Sequence, residues 1–116
     1  VVLSNHFIHY ALVPWNGLVS SDEEHLAYAR HLFQTTYGLS SETWQLRLDQ
    51  SDAGAAQLAS AVPEKLLMAC SEMVKRHNMK LVSVQPYLMS AFNRFKSQIQ
   101  RTDAWFALVE PGTICL

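Results

Sequence analysis

The order of patterned segments predicts an α+β fold: strand, helix, strand, strand, helix, strand, then a further helix and a β-hairpin. The first six make the split βαβ order of the ferredoxin-like class. Three observations carry this. A capped amphipathic helix follows the first strand-like run, a period-two segment opens a hairpin, and two prolines each stand at the start of a helical stripe. The expected product is an antiparallel sheet with helices packed on one face.

Asn5 to Val13 is rich in β-branched and aromatic residues and is closed by Pro14-Trp15-Asn16-Gly17. Ser21 and Glu24 then form a capping box, and Asp22, Glu23 and Glu24 complement the positive end of the helix dipole. Leu26, Ala29, Phe33 and Tyr37 follow helical spacing, and Gly38 is placed to end the helix as a left-handed cap. Thr43 to Leu48 alternates, with Trp44, Leu46 and Leu48 directed at the helix side. Asp49 to Gly54 is dense in turn formers, and Ala55 to Val62 returns as the partner strand.

Pro63 suits the first position of a helix, whose face is Leu66, Leu67, Cys70, Met73 and Val74 and whose left-handed cap is Asn78. Leu81 to Val84 predicts a short strand. Pro86 opens a third helix with Leu88, Phe92, Phe95 and Ile99 on one stripe. Thr102-Asp103 breaks the chain toward a last strand, Ala104 to Val109. Glu110-Pro111-Gly112 is a turn, and Thr113 to Leu116 opens a strand that is cut short, so the chain reads as a piece of a larger protein.

Charged residues are only 16% of the chain and the net charge is −1, so no basic stripe exists to neutralise phosphates and no nucleic-acid partner is expected. The apolar runs are strand-sized, which argues against direct membrane insertion. Cys70 and Cys115 make no disulfide framework; as free, buried thiols they point to a reducing compartment such as the cytoplasm.

The residues assemble no familiar chemistry. His6 and His9, three apart on a strand, fall on opposite faces, and His25 and His31 are six apart on a helix, so no metal site is expected. The glycines at 17, 38, 54 and 112 all sit in turns and build no phosphate loop. Asp22, Glu23 and Glu24 read as a capping cluster, and Asp49 and Asp52 as turn residues. No catalytic residue and no cofactor is assigned. Trp44 and Trp105 fall in strand patterns and read as core. Trp15, just past a strand end, suits either contact with another domain or chain or local packing.

Three segments carry a family resemblance: Leu58-Ala59-Ser60-Ala61-Val62-Pro63 with its helix, Met79 to Pro86, and Ala91-Phe92-Asn93. Together they resemble the strand, Val-Pro, helix, Leu-x-x-x-x-Val-x-Pro, helix run of the PilM-type type IV pilus assembly proteins and of the cytoplasmic actin-like domain of type II secretion protein L. The cell-division protein FtsA is a more distant relative. The resemblance implies an α+β subdomain, residues 1–102, followed at 103–116 by the start of an actin-like (ribonuclease H-like) half. It also implies a cytoplasmic scaffold that binds inner-membrane pilus or secretion components rather than turning over a substrate. In that family a hairpin carrying Asp-x-Gly contacts nucleotide phosphates. Its analogue here is Glu110, Gly112 and Thr113, with Glu in place of Asp and Pro111 lacking a backbone donor.

The leading expectation is therefore a non-catalytic interaction module, with Trp15 as the interaction residue and a homodimer among its possible assemblies. The alternative is a ferredoxin-like domain that binds a small ligand or regulates. A nucleotide-hydrolysing half-domain ranks last, because of Glu110-Pro111.

Overall fold

The structure, a computed structural model, describes residues 1–19, 21–50, 54–99 and 105–116. It is α+β, with three α-helices and three small sheets among the described residues. The strands are β1 (Val2–Leu3), β2 (His9–Val13), β3 (Trp44–Leu48), β4 (Gln57–Pro63), β5 (Gln85–Pro86), β6 (Leu108–Glu110) and β7 (Thr113–Cys115). The helices are α1 (Asp22–Tyr37), α2 (Glu64–Arg76) and α3 (Tyr87–Ile99). The chain forms two compact units: a central one, His9–Cys70, and a terminal one made of Val1–Ile8 with Ser71–Leu116. The boundary expected at 102/103 lies outside the described residues.

In the central unit α1 starts as its sequence requires: the Ser21 hydroxyl accepts from the Glu24 backbone N–H at 3.2 Å. Three antiparallel strands lie in the order β2-β4-β3. Strand β4 is central, and its Ala59 and Ala61 are fully buried, as are Ala29 and Phe33 of α1. With small residues in the middle of the sheet, the Phe33 ring can sit close over it, enclosed by Val13 and Leu46. Trp44 and Leu48 pack against the same core, on the face their alternation predicts. Gly38 has positive φ as expected, but its φ/ψ of 82°/−173° is an extended conformation that other residues rarely adopt. It leads α1 into a 3₁₀ turn, Leu39–Thr43, rather than a left-handed cap.

The terminal unit is built from short pieces. Its share of α2 ends in a Schellman motif: Asn78 has φ 52°, its N–H donates to Lys75 O, and Met79 N–H donates to Val74 O. Strands β1 and β5 pair in parallel, and β6 and β7 form a hairpin. The turn is Pro111-Gly112 with Gly112 at φ 80°, the residue order a type II turn favours. Leu3, Ile8, Val74 and Leu88 are its buried apolar side chains among the described residues.

Besides the Gly38 cap, four expectations are corrected. The first strand begins at His9 rather than Asn5, because Asn5–Phe7 is a 3₁₀ turn capped by the Ser4 hydroxyl. His6 therefore sits on that turn and not on a strand with His9. Leu81 to Val84 is not a strand; only Gln85–Pro86 pairs, and the backbone before it is occupied where Val1 N donates to Ser83 O at 2.9 Å. The last strand starts at Leu108, so Trp105 precedes it and is 86% exposed rather than core. Finally, Thr113–Cys115 does not stop unpaired but returns along Leu108–Glu110.

Candidate functional site

The predicted interaction residue, Trp15, lies in the central unit on the loop between β2 and α1. Two hydrogen bonds shape that loop: the Asn16 side chain accepts from Leu18 N–H at 3.0 Å, and Asn16 O accepts from Val19 N–H at 3.0 Å. Gly17 leaves room for the tip of the Trp15 ring, since a Cβ there would meet it at 2.8 Å and push this exposed side chain aside. The indole thus leans on its own loop yet stays 52% exposed, and Leu18 beside it is 92% exposed. Part of the ring packs locally while the rest meets solvent.

The phosphate-hairpin analogue, Glu110, Gly112 and Thr113, lies in the terminal unit, tied to the 3₁₀ turn of Asn5–Phe7. Glu110 Oε2 accepts from the Asn5 backbone N–H at 3.0 Å and from Asn5 Nδ2 at 2.7 Å. Asn5 is buried, and its Oδ1 accepts from Leu88 N–H at the start of α3 at 3.3 Å. His6 holds the turn of the hairpin: Nε2 donates to Pro111 O at 2.9 Å, which leaves Nδ1 to accept the Thr113 hydroxyl at 3.1 Å. A hydrogen bond from Ser4 holds the Glu110 carboxyl below the ordinary carboxylate range. Asn5 and the nearby His6 reinforce this against the opposing effect of desolvation. The hairpin therefore presents a stable negative charge, and Pro111 has no N–H to offer a phosphate.

Sequence reasoning missed His6 and Asn5 here, because their partners lie 105 to 107 residues away. It also missed a place for His25. This residue shares a stripe of α1 with buried Ala29 and Phe33, four and eight positions on, and lines a cleft of about 480 Å³ with Asp22, Leu26, Leu48, Asp49 and Gln57. The spacing 25, 29, 33 was the available signal. Asp49 is already committed to the hairpin, its Oδ1 accepting from Leu58 N–H at 2.8 Å.

A third cluster closes the opposite end of the sheet. His9 stacks on Trp44 with ring centres 4.0 Å apart and meets Tyr37 edge-on at 5.0 Å. Burial lowers the His9 pKa. The Tyr37 hydroxyl donates to Tyr10 O at 2.8 Å, so this cluster reads as packing.

Among the described residues no group of three or more His, Cys, Asp or Glu is placed to hold a metal ion, and no helix is long and apolar enough to cross a membrane. Comparison with family models, with curated proteins and with solved structures finds no match to this chain.

Proposed function

We propose that this chain is a non-catalytic protein-interaction module. On the resemblance of its Val-Pro and Val-x-Pro segments, it belongs to a cytoplasmic actin-like scaffold for type IV pilus assembly or type II secretion. The observation that carries the interaction role is the Trp15–Leu18 loop. Two large apolar side chains are exposed on a hydrogen-bonded turn, so the backbone has less conformational entropy left to lose when a partner covers them. The sheet order β2-β4-β3 supports the split βαβ reading of residues 9–63. The Glu110 carboxylate, already bonded to Asn5, supports a structural hairpin over a phosphate-binding one.

The test is affinity capture with the chain as bait against inner-membrane pilus and secretion components. Trp15→Ala is expected to weaken capture about thirtyfold, as for the loss of an aromatic hot spot. Failure of the unaltered chain to retain any such component contradicts the scaffold role.

One observation favours the alternative, a small-ligand domain: the cleft lined by Asp22, His25 and Gln57 has the volume of an ordinary ligand pocket. That reading expects ligand-induced NMR shifts centred on His25 that are lost in His25→Ala.

A further inference from the structure

Charge is unevenly placed along this chain, although exposed Glu72 stands one turn of α2 before Lys75 and Arg76. Of its ten acidic residues three are consecutive, Asp22, Glu23 and Glu24, and of its nine Lys and Arg three fall within six positions, Lys75, Arg76 and Lys80. All six are exposed. The side chains of Asp22, Glu23, Lys75 and Lys80 have no ionic partner among the described residues. Each charged group also lies beside exposed apolar side chains. The acidic group follows the loop that presents Trp15 and Leu18 from the central unit. The basic group belongs to the terminal unit, where Met73 is 51%, Met79 56% and Val82 88% exposed.

The two surfaces differ in shape as well as sign. The basic one contains a notch of about 330 Å³ lined by Ser71, Val74, Lys75, Met79, Lys80 and Leu81. The Schellman motif fixes this notch, because it turns the chain at Asn78 and brings Met79 back to Val74. The acidic surface is a projection: Leu18 stands 92% exposed on a turn fixed by Asn16. An exposed apolar loop followed in the chain by three carboxylates complements a notch that carries two ammonium groups, with Arg76 next to one of them in the chain.

We infer that a second copy of this chain is the occupant. The Trp15–Leu18 loop of one copy enters the Val74–Met79–Leu81 notch of the next, with Asp22, Glu23 and Glu24 facing Lys75, Arg76 and Lys80. This rests on the interaction role proposed above and gives it a specific partner. Each copy offers a projection at one patch and a notch at another, so the contact pairs unlike patches, and it closes as a reciprocal pair or runs head to tail according to how the two patches are placed.

The test is sedimentation of the full chain from about 10 μM to about 1 mM, the range of weak association. Two charge reversals accompany it: Asp22→Lys with Glu23→Lys removes the acidic face, and Lys75→Glu with Lys80→Glu removes the basic one. The unaltered chain is expected to rise above its 13.1 kDa mass with concentration, less so at 1 M salt, where screening shortens to about 3 Å. Each reversed variant alone should associate about a hundredfold more weakly or worse. Mixed together, each keeps the face the other lacks, and they should form a one-to-one complex that goes no further.

Leu18→Ser, which leaves the charges and the caps of α1 in place, should also weaken association, guarding against a reversal that merely unfolds. An unaltered chain that stays monomeric overturns this inference but leaves capture of other partners to be judged on its own. Association that persists in either reversed variant, or a mixture that stays monomeric, also overturns it.

Discussion

The central and terminal units are held together by different forces. Residues 9–70 enclose an apolar core: Phe33 sits over Ala59 and Ala61 with Val13 and Leu46 around it, each buried to 6% exposure or less. The terminal unit buries four large apolar side chains among its described residues and relies on a polar clasp, in which Asn5, His6, Glu110 and Thr113 lock the hairpin to the Asn5–Phe7 turn. A core loses stability by losing volume, whereas a clasp loses it by losing a hydrogen-bond partner or a charge. The two units should therefore respond to different perturbations.

The largest expected effect is in the core. Phe33→Ala should cost about 3–5 kcal/mol in the central unit, because the fixed sheet cannot collapse into the space. Hydrogen exchange should show the loss in β3 and β4 while the β6–β7 amides keep their protection. Equal loss in both would mean that one core serves the whole chain.

The converse change is Asn5→Ala, expected to cost about 1–3 kcal/mol by leaving the Leu88 N–H without its side-chain acceptor and Glu110 without its side-chain donor at 2.7 Å. Here β6–β7 and the start of α3 should lose protection, with β2–β4 unchanged.

Acid should separate the units more gently. Glu110 titrates lower folded than unfolded, so its contribution is present above the ordinary carboxylate range and is lost as pH falls through the depressed value. His9 is also lowered, by burial, from an ordinary 6.5, so below that pH the unfolded chain takes up protons first and the central unit weakens. Residue-resolved NMR from pH 7.5 to 3 should find the His9–Trp44 ring shifts moving before those of the Glu110 hairpin, and Glu110→Gln should abolish the later step. Simultaneous loss of both sets would contradict the separation.

The smallest effect is local. Gly17→Ala forces the Trp15 indole off the loop, because the added Cβ has 2.8 Å where an ordinary contact needs more. Stability should change by no more than about 1 kcal/mol, but Trp15 ring shifts and the exposure of Leu18 should move.

The two units were also unequally legible. In the central one the core follows local patterns: the capping box places Ser21 on Glu24, the stripe places Ala29 and Phe33, and the alternation places Trp44, Leu46 and Leu48. The terminal unit depends on pairings that no local pattern encodes. Asn5 and Glu110, or His6 and Thr113, are over a hundred residues apart, and strands of two or three residues are too short to show a period. Leu81 to Val84 has strand composition but no ladder of its own, and Trp105 lies three residues before the strand it was expected to join. The Trp15 loop could be placed, but not the Asn16 and Gly17 contacts that hold it.

The most direct measurement of the interaction role is a photo-crosslinking residue at Leu18, compared with the same probe at exposed Thr35 on α1. Protein adducts from position 18 that disappear in Trp15→Ala, with none from position 35, are the result expected. No adduct from position 18, or adducts indifferent to Trp15, would contradict the claim that this loop is where the chain meets its partner.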